Sequence, residues 1–566
     1  MTPIPRPEAI AALTAPGQPY ALQDVVVNGR TVRMFSQAPG SLRALFEGTA
    51  SALPFIAFQD ERLSFAEAWG QAARIGHVLV HRCGVQPGDR VAISMRNYPE
   101  WVLAFTAITS VGAIAVAMNA LWTAEELAYA LADCGAKLLF ADQERLDRLA
   151  HIAPLPGLQV IAVRPSKPAP GALLLAKLVS ALGDAQVEIP MPAVDIAPDA
   201  PATIFYTSGS TGHPKGVVSS HRNILAALMS WELDAKIGER VAGIDAAALP
   251  PPAVQPGALL AVPLFHVTGS HAVYLMCYRL QRRLVSMVRW DPEAAAALIQ
   301  RDQLSSVVAP AAMTGDLVRV AQAGRYDLSS LLSVGGGGAP RAPEQVKQIG
   351  ASFGQALPNT GWGMTETNAI GAGIGGPDYL AHPASSGRCS QVLELKVIDE
   401  LGAALPTGER GELLVRGTSV FAGYWMRPEV NATAFADGGW FRTGDVALID
   451  TDGFVYIVDR IKDLIIRGGE NIGCGQVEAA LLMHPDVHEA AVYAVPDERL
   501  GEEVGATVYG SPALNVAALR EFLALHLARF EVPRFISVSA TPLPRTPSGK
   551  ILKRQIKLAA LAGLGG

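Results

Sequence analysis

Short apolar runs alternate with helix-periodic runs through the first 200 residues, and this alternation restricts the fold more than any other feature. RLSFAEAWGQAARIGHVLVHRC (62–83) repeats apolar residues at helical spacing, whereas DRVAISM (89–95) and AKLLFAD (136–142) are too short and too apolar for anything but buried strands. Strands that alternate with helices pair in parallel and carry helices on both faces, which predicts a doubly wound α/β sheet. A second such block runs from 204 to about 373, giving a large domain of two helix-flanked sheets. After 388, LELKVID, GELLVRG and FVYIVDR alternate strand with turn and predict a small antiparallel, barrel-like unit. Beyond 460 the sequence predicts a separate small α+β domain. GQVEAALLMHP is its first helix, VHEAAVYAVPD and EEVGATVYG are strands, and VAALREFLALHLARF is a second helix.

With 46 Lys and Arg against 52 Asp and Glu, the net charge of −6 gives no basic field for nucleic acid or an anionic bilayer. Half the residues are hydrophobic and 17% are charged, which excludes a mainly disordered or coiled-coil chain. Five cysteines (Cys83, Cys134, Cys277, Cys389, Cys474) are scattered without a CxxC pair, which predicts buried free thiols in a reducing compartment. MTPIPRPEAI has no basic stretch followed by an apolar one, so the expected setting is cytoplasmic. Residues 101–124 carry no charge and are long enough to span a bilayer. Their seven alanines, Gly112 and a β-branched run divide them instead into a buried helix at 100–111 and a core strand at 113–118, so no transmembrane segment is expected. Residues 165–202, rich in Pro and Ala, read as a surface excursion.

The strongest local signal is TIFYTSGSTGHPKG at 203–216. A β-favouring run ends in small and hydroxylic residues, two of them glycine, with Lys215 just beyond. Such a loop turns successive N–H groups and hydroxyls toward one point and encloses phosphate oxygens. It does not match the GxxxxGK[ST] pattern. GAGIGG at 371–376 does match GxGxxG, but Pro377 and Asp378 follow it, and it reads as a flexible loop, not a dinucleotide site.

Seven motifs in order resemble the adenylate-forming enzymes, the superfamily of acyl-CoA synthetases, aryl-acid ligases, peptide-synthetase adenylation domains and luciferases. They are YTSGSTGHPKGV (206–217), PLFHVTG (263–269), GGAP (337–340), GWGMTET (361–367), WFRTGD (440–445), DRIKDLIIRGGENI (459–472) and PRTPSGKILKR (544–554). The resemblance implies a domain at 1–459 that binds ATP and acid, a hinge at 460–462 and a mobile domain at 463–566. It implies that a carboxylate attacks the α-phosphorus of ATP, releasing pyrophosphate, and that a thiol then displaces AMP. Such transfers need charge neutralisation and in-line placement more than covalent help.

The same resemblance distributes the roles. Thr207, Ser208, Gly209, Ser210, Thr211, Gly212 and Lys215 would hold the phosphates, with Thr207 taking part in catalysis. Glu366 would hold Mg2+, a hard cation suited to carboxylate oxygen, and Thr365 would contact the α-phosphate. Asn359, Gly361, Trp362, Gly363 and Met364 would form one wall for adenine and acid, with Gly338, Ala339 and Pro340 opposite. Asp445 would bind the ribose, supported by Arg460. Lys550 would bridge the two reacting anions, which otherwise repel. Lys462 sits at the hinge, about which the small domain would exchange the Lys550 face for one where Gly468 and Gly469 line the thiol channel. Gly473-Cys474-Gly475 departs from the family pattern and is expected to loosen the helix that follows.

Amino-acid-activating relatives place an aspartate after the Phe of PLFHVTG, whereas this chain has His266; a substrate ammonium would go unpaired, which disfavours an amino acid. His266 resembles the aromatic gate of acyl- and aryl-CoA ligases. The neighbouring Val262, Leu264, Val267, Gly269, 308–313 and 335–338 are apolar or small, and the glycine run suggests depth for a medium- or long-chain fatty acid. The chain ends 16 residues after Lys550, so no carrier domain is expected in cis and coenzyme A is the expected acceptor. A ligase serving a separate carrier protein or an amine, and a non-catalytic sensor of acids or nucleotides, are the alternatives. A homodimer is compatible with the sequence.

Overall fold

The computed structural model describes residues 2–27, 29–207, 213–245, 248–337, 341–546 and 549–564. Two large sheets form the bulk of the chain. The first has a parallel centre of Pro201–Thr207, Ile114–Ala117, Arg90–Ser94, Leu138–Asp142, Gln159–Val163 and Leu173–Leu174, with Lys215–Ser220 and Gly423–Tyr424 added antiparallel at one edge. The second has its own parallel centre, Pro54–Phe58, Arg283–Ser286, Gly257–Leu260, Ser306–Val308, Ser333–Gly335 and Leu357–Trp362.

The charge-free stretch divides as expected. Its helix is Pro99–Ser110, with every residue but Glu100 buried; Gly112 at φ +76° turns the chain, and the strand Ile114–Ala117 follows. Trp101 and Phe105 of that helix pack on Tyr274, whose hydroxyl lies 2.7 Å from Thr106 Oγ1. This aromatic cluster joins the layers, and truncating such a buried ring costs about 3–5 kcal/mol. Among the described residues no helix is long and apolar enough to cross a membrane. All five cysteines are free and all but Cys389 are fully buried.

Three expectations need correction. The strands after 388 are not a separate barrel: Gly387–Cys389, Phe454–Arg460, Trp440–Ile449, Gly411–Gly417 and Leu393–Ile398 continue the second sheet through Ala372–Gly375. The GAGIGG segment is not a flexible loop. It forms the strand Ala372–Gly375, antiparallel to Leu357–Trp362, and a short helix Gly376–Ala381 with proline in its first turn. Its glycines serve close approach: a Cβ at Gly371 would lie 2.4 Å from the Trp362 ring. Residues 165–202 are only partly a surface excursion, since they include Leu173–Leu174, a helix Leu175–Ser180 and Met191, which is buried where a Cβ on Gly76 would stand.

The small domain has a five-stranded sheet in which Val487–Asp497 and Gly501–Gly510 pair along their length, with Phe535–Ser539 parallel to the latter and Ile465–Arg467 and Glu470–Ile472 beyond. The helices Cys474–Leu482, Val516–Ala524 and Lys553–Leu564 accompany it, the second ending six residues before the apolar pattern does. The Gly473-Cys474-Gly475 departure pins the start of the first helix instead of loosening it. Gly473 lets the backbone of Val458 approach, Gly475 N donates to Asp459 Oδ2 at 3.3 Å, and Cys474 Sγ donates to the Asp463 carbonyl at 3.2 Å. Burial pushes that thiol far up, so it is a packed, unreactive cysteine.

Candidate active site

Segments of both large sheets and of the small domain meet at one site. Leu357–Trp362 runs into a single 3-10 turn, Thr365–Thr367, which places Glu366; Gly363 is required there because a Cβ would lie 2.5 Å from the Ala369 carbonyl oxygen. Glu366 is buried, and its Oε1 accepts a hydrogen bond from the Tyr424 hydroxyl at 2.8 Å. Burial raises the pKa of this carboxyl, and the Tyr424 bond opposes the rise. Tyr424 also presents its ring to Lys215, whose ammonium stands 5.2 Å from the centroid. Lys215 faces Thr207 across the strand pair that brackets residues 208–212.

Asp445 and Arg460 are cross-strand partners, joined by Arg460 Nε to Asp445 Oδ1 at 3.3 Å. Asp445 Oδ2 accepts from the Trp362 indole N–H at 2.7 Å. Each oxygen keeps a further lone pair, enough to accept two ribose hydroxyls. Burial raises the Asp445 pKa, while Arg460, Trp362 and Lys550 hold it down.

Lys550 closes the group from the small domain. Its backbone ends a tight turn in which Thr546 N donates to the Lys550 carbonyl at 2.6 Å and Lys550 N to Thr546 Oγ1 at 3.0 Å. Gly549, at φ +84°, lies on Met313 and Pro310 of the large domain. The ammonium is within electrostatic reach of Asp445, Arg460 and His266; its protein surroundings and Arg460 lower its pKa, and Asp445 opposes. His266 is pushed down to about 4 by burial and by Lys550, so its ring is neutral at pH 7.

Thus Lys215, Glu366, Asp445, Arg460, Trp362, Lys550 and His266 are joined, directly or through Tyr424, by contact or by charge, and Thr207 is the strand partner of Lys215. Ser208, Gly209, Ser210, Thr211 and Gly212, like Gly338, Ala339 and Pro340, lie outside the described residues. Asn359 turns its amide to Ser333 Oγ at 2.7 Å, while its carbonyl accepts from Gly336 and Arg341. Lys462 stands exposed on the turn Ile461–Asp463. Gly468 and Gly469, both at positive φ, form an exposed hairpin tip, and a Cβ at Gly469 would meet nothing within 4 Å. The structure therefore presents the Lys550 face, not the glycine face, to the cleft.

The depth expected from the glycine run is absent at two of its positions. A Cβ at Gly335 would lie 2.8 Å from Asn359 Oδ1, and one at Gly336 would lie 2.8 Å from Arg341 Nη2. These glycines admit neighbouring side chains, not a ligand. Two residues with a part in the site gave no sequence signal. Tyr424 is one. Asn97 is the other: its amide donates to the Val262 carbonyl at 3.0 Å and accepts from Leu264 N at 2.9 Å, clamping the chain ahead of His266. Both are single polar or aromatic residues whose partners are more than 50 positions away.

Among the described residues no three His, Cys, Asp or Glu cluster as an all-protein metal cage, and Asp445 is near enough to Glu366 to act on its carboxyl. That fits Mg2+, which keeps waters and takes substrate phosphate oxygens in preference to an all-protein cage. Bound there, Mg2+ would neutralise phosphate charge.

Fold and cleft together define a nucleotide-dependent activator of carboxylic acids. Residues 46–425 match the family model for AMP-binding enzymes, and 476–550 match that for the AMP-binding enzyme C-terminal domain. A long-chain-fatty-acid–CoA ligase of Mycobacterium tuberculosis is 31% identical over 88% of this chain and 93% of its own. A 2-succinylbenzoate–CoA ligase of Geobacillus kaustophilus is 36% identical over 89% and 94%. The Bacillus subtilis o-succinylbenzoate coenzyme A synthetase, solved with ATP and magnesium ion, superposes with TM-score 0.74 at 26% identity, covering 91% and 99% of the two chains. The chain belongs to the AMP-binding enzyme family and is an AMP-forming acid–thiol ligase with ATP and coenzyme A as substrates.

Proposed function

We propose that the enzyme activates an apolar carboxylic acid, with a medium- or long-chain fatty acid as the first candidate and a compact aryl acid as the second reading. The observation that carries the mechanism is Lys550 in the cleft beside Asp445, Arg460 and His266. In this reading the acid's carboxylate approaches the α-phosphate between Lys550 and Glu366. The ammonium offsets the repulsion of two anions in a site of low dielectric. Asp445 takes the ribose hydroxyls, Trp362 and Gly361 the adenine, and Lys215 and Thr207 the outer phosphates. Neutral His266, held by the chain that Asn97 clamps, walls the acid from the thiol and swings aside in the second step.

The acid's tail then meets Val262, Leu264, Val267 and Met313, none of which carries charge. Filled space at Gly335 and Gly336 is what supports the second reading. The domain limits 1–459 and 463–566, with rotation about 460–462, belong to the same proposal, as do a cytoplasmic setting and a homodimer.

A panel of fatty and aryl acids with ATP, followed for pyrophosphate and then for AMP with and without coenzyme A, tests it. Fatty acids should give the highest kcat/KM. Aryl acids leading would reverse the order of the two readings. Pyrophosphate release that never becomes coenzyme-A-dependent would favour a carrier protein or amine acceptor, and no release with any acid would favour a sensor.

A further inference from the structure

His271 is fully buried and has no role in the reaction as described, yet it stands between three of the segments that carry it out. It lies in the π-helix Thr268–Leu275, which starts two residues after His266. On that side Ser270 Oγ is 3.1 Å from the His266 carbonyl and 2.8 Å from His271 Nδ1. Phe205 meets the ring edge to face, with centroids 5.3 Å apart, and belongs to the strand that ends at Thr207.

On the far side is Asn368. It closes the 3-10 turn that holds Glu366: its N–H donates to the Thr365 carbonyl at 3.1 Å, and at φ +58° it takes a left-handed conformation that asparagine tolerates. Its side-chain amide donates to the Ser419 carbonyl at 2.9 Å. Asn368 Oδ1 and His271 Nε2 are both buried without a bond to any other described group, and the two side chains act on each other.

An unpaired polar atom in a core is costly, and one tautomer of the ring avoids the cost. With its hydrogen on Nε2, the imidazole gives that hydrogen to Asn368 Oδ1, and the Ser270 hydroxyl hydrogen is divided between Nδ1 and the His266 carbonyl. With the hydrogen on Nδ1, two lone pairs would oppose each other. Burial keeps the ring neutral. A polar chain thus runs from the His266 carbonyl through Ser270, His271 and Asn368 to Ser419, two residues before Phe421, whose N–H donates to the Glu366 carbonyl at 2.8 Å. Two apolar side chains would fill the same space without desolvation; what the polar pair adds is a fixed direction.

We propose that His271 and Asn368 are positioning residues: their bond ties the Glu366 turn to the helix that starts beside His266, so the carboxylate that holds Mg2+ keeps its place relative to the acid. This rests on Glu366 as the Mg2+ carboxylate of the proposed mechanism.

The test compares His271→Phe, which keeps a ring against Phe205, with Asn368→Gly, which keeps the positive φ, and with the double variant. Each single change should lower kcat for pyrophosphate release about tenfold and raise the free Mg2+ needed for half-maximal rate. KM for the acid and thioester formation from supplied acyl-AMP should stay within about twofold. The double variant should be no worse than the more affected single one, because both remove the same bond. His271→Gln, whose amide N–H can stand in for Nε2–H, should keep most of the activity. Half-activation by Mg2+ within one preparation is independent of the fraction folded. Additive losses, or losses with an unmoved Mg2+ dependence, would overturn the positioning role alone. An unchanged Mg2+ dependence in Glu366→Gln would refute the metal assignment itself, and the inference with it.

Discussion

Tyr424→Phe isolates one hydrogen bond at the carboxylate proposed to hold Mg2+. The Tyr424 hydroxyl donates 2.8 Å to Glu366 Oε1 in a buried setting that already raises the carboxyl's pKa. A hydrogen bond to a charged group contributes about 1.5–3 kcal/mol, and 1.36 kcal/mol corresponds to one pKa unit. Removing the hydroxyl should therefore raise Glu366 by a further one to two units, roughly. In the proposed role the ionised form holds Mg2+, so activity should be lost as pH falls through this pKa, and a higher pKa begins the loss at higher pH. Pyrophosphate release followed from about pH 5 to about pH 9 should show the acidic limb displaced upward by that amount, with the alkaline plateau near the parent value. The phenylalanine ring keeps its face to Lys215, so KM for ATP on the plateau should change little; Tyr424→Leu, which removes the ring as well, should raise it. An unmoved acidic limb in Tyr424→Phe would refute the assignment of Glu366 as the group that must ionise.

Lys550→Ala should lower pyrophosphate release by about 10²–10³-fold while thioester formation from supplied acyl-AMP stays within a few-fold; equal losses would count against a lysine that serves one step. Gly469→Leu should do the reverse in the same pair of assays, beyond the roughly 1–2 kcal/mol strain of a side chain at positive φ, which a thermal melt measures. Trp362→Phe retains the ring but leaves Asp445 Oδ2 without its donor, so affinity for AMP by calorimetry should fall about tenfold; unchanged affinity would make that bond incidental. His221 and His271 are fully buried and pushed down to about 4 and about 3. The unfolded chain therefore takes up these protons first, and the stability they confer is present at neutral pH and lost as pH falls from about 6.5 toward 4. Near pH 5 each should cost about 2 kcal/mol in urea unfolding, and His271→Gln should flatten the slope by about one proton.

The large domain's layers were legible because their signal is local. Apolar runs such as 114–117 and 138–141 need burial on both faces, and Gly112 marks where helix gives way to strand. The cleft was legible because its residues sit in ordered motifs. What stayed hidden depends on partners far along the chain. Residues 371–376 have almost no side chains to pattern, and only pairing with 359–362 makes them a strand. Gly335 and Gly336 looked like room until Asn359 and Arg341 were found against them. The strands beyond 388 carried the right type but not their attachment, since register between sheets leaves no mark in composition.

The pinned start of the helix Cys474–Leu482 also bears on the two-step cycle. Asp459 lies on the strand Phe454–Arg460, ahead of the proposed hinge at 460–462, whereas Gly475 lies in the first turn of the helix beyond it, so a turn about that hinge would separate the donor from its acceptor. A bond of this kind, about 1–2 kcal/mol, corresponds to roughly a five- to thirtyfold population ratio. Under the proposed rotation the resting ensemble would be weighted, before any ligand arrives, toward the first half of the reaction. Loss of pyrophosphate and entry of the thiol would then have to tip that weighting, and the thiol side would stay covered until there is an adenylate to receive it.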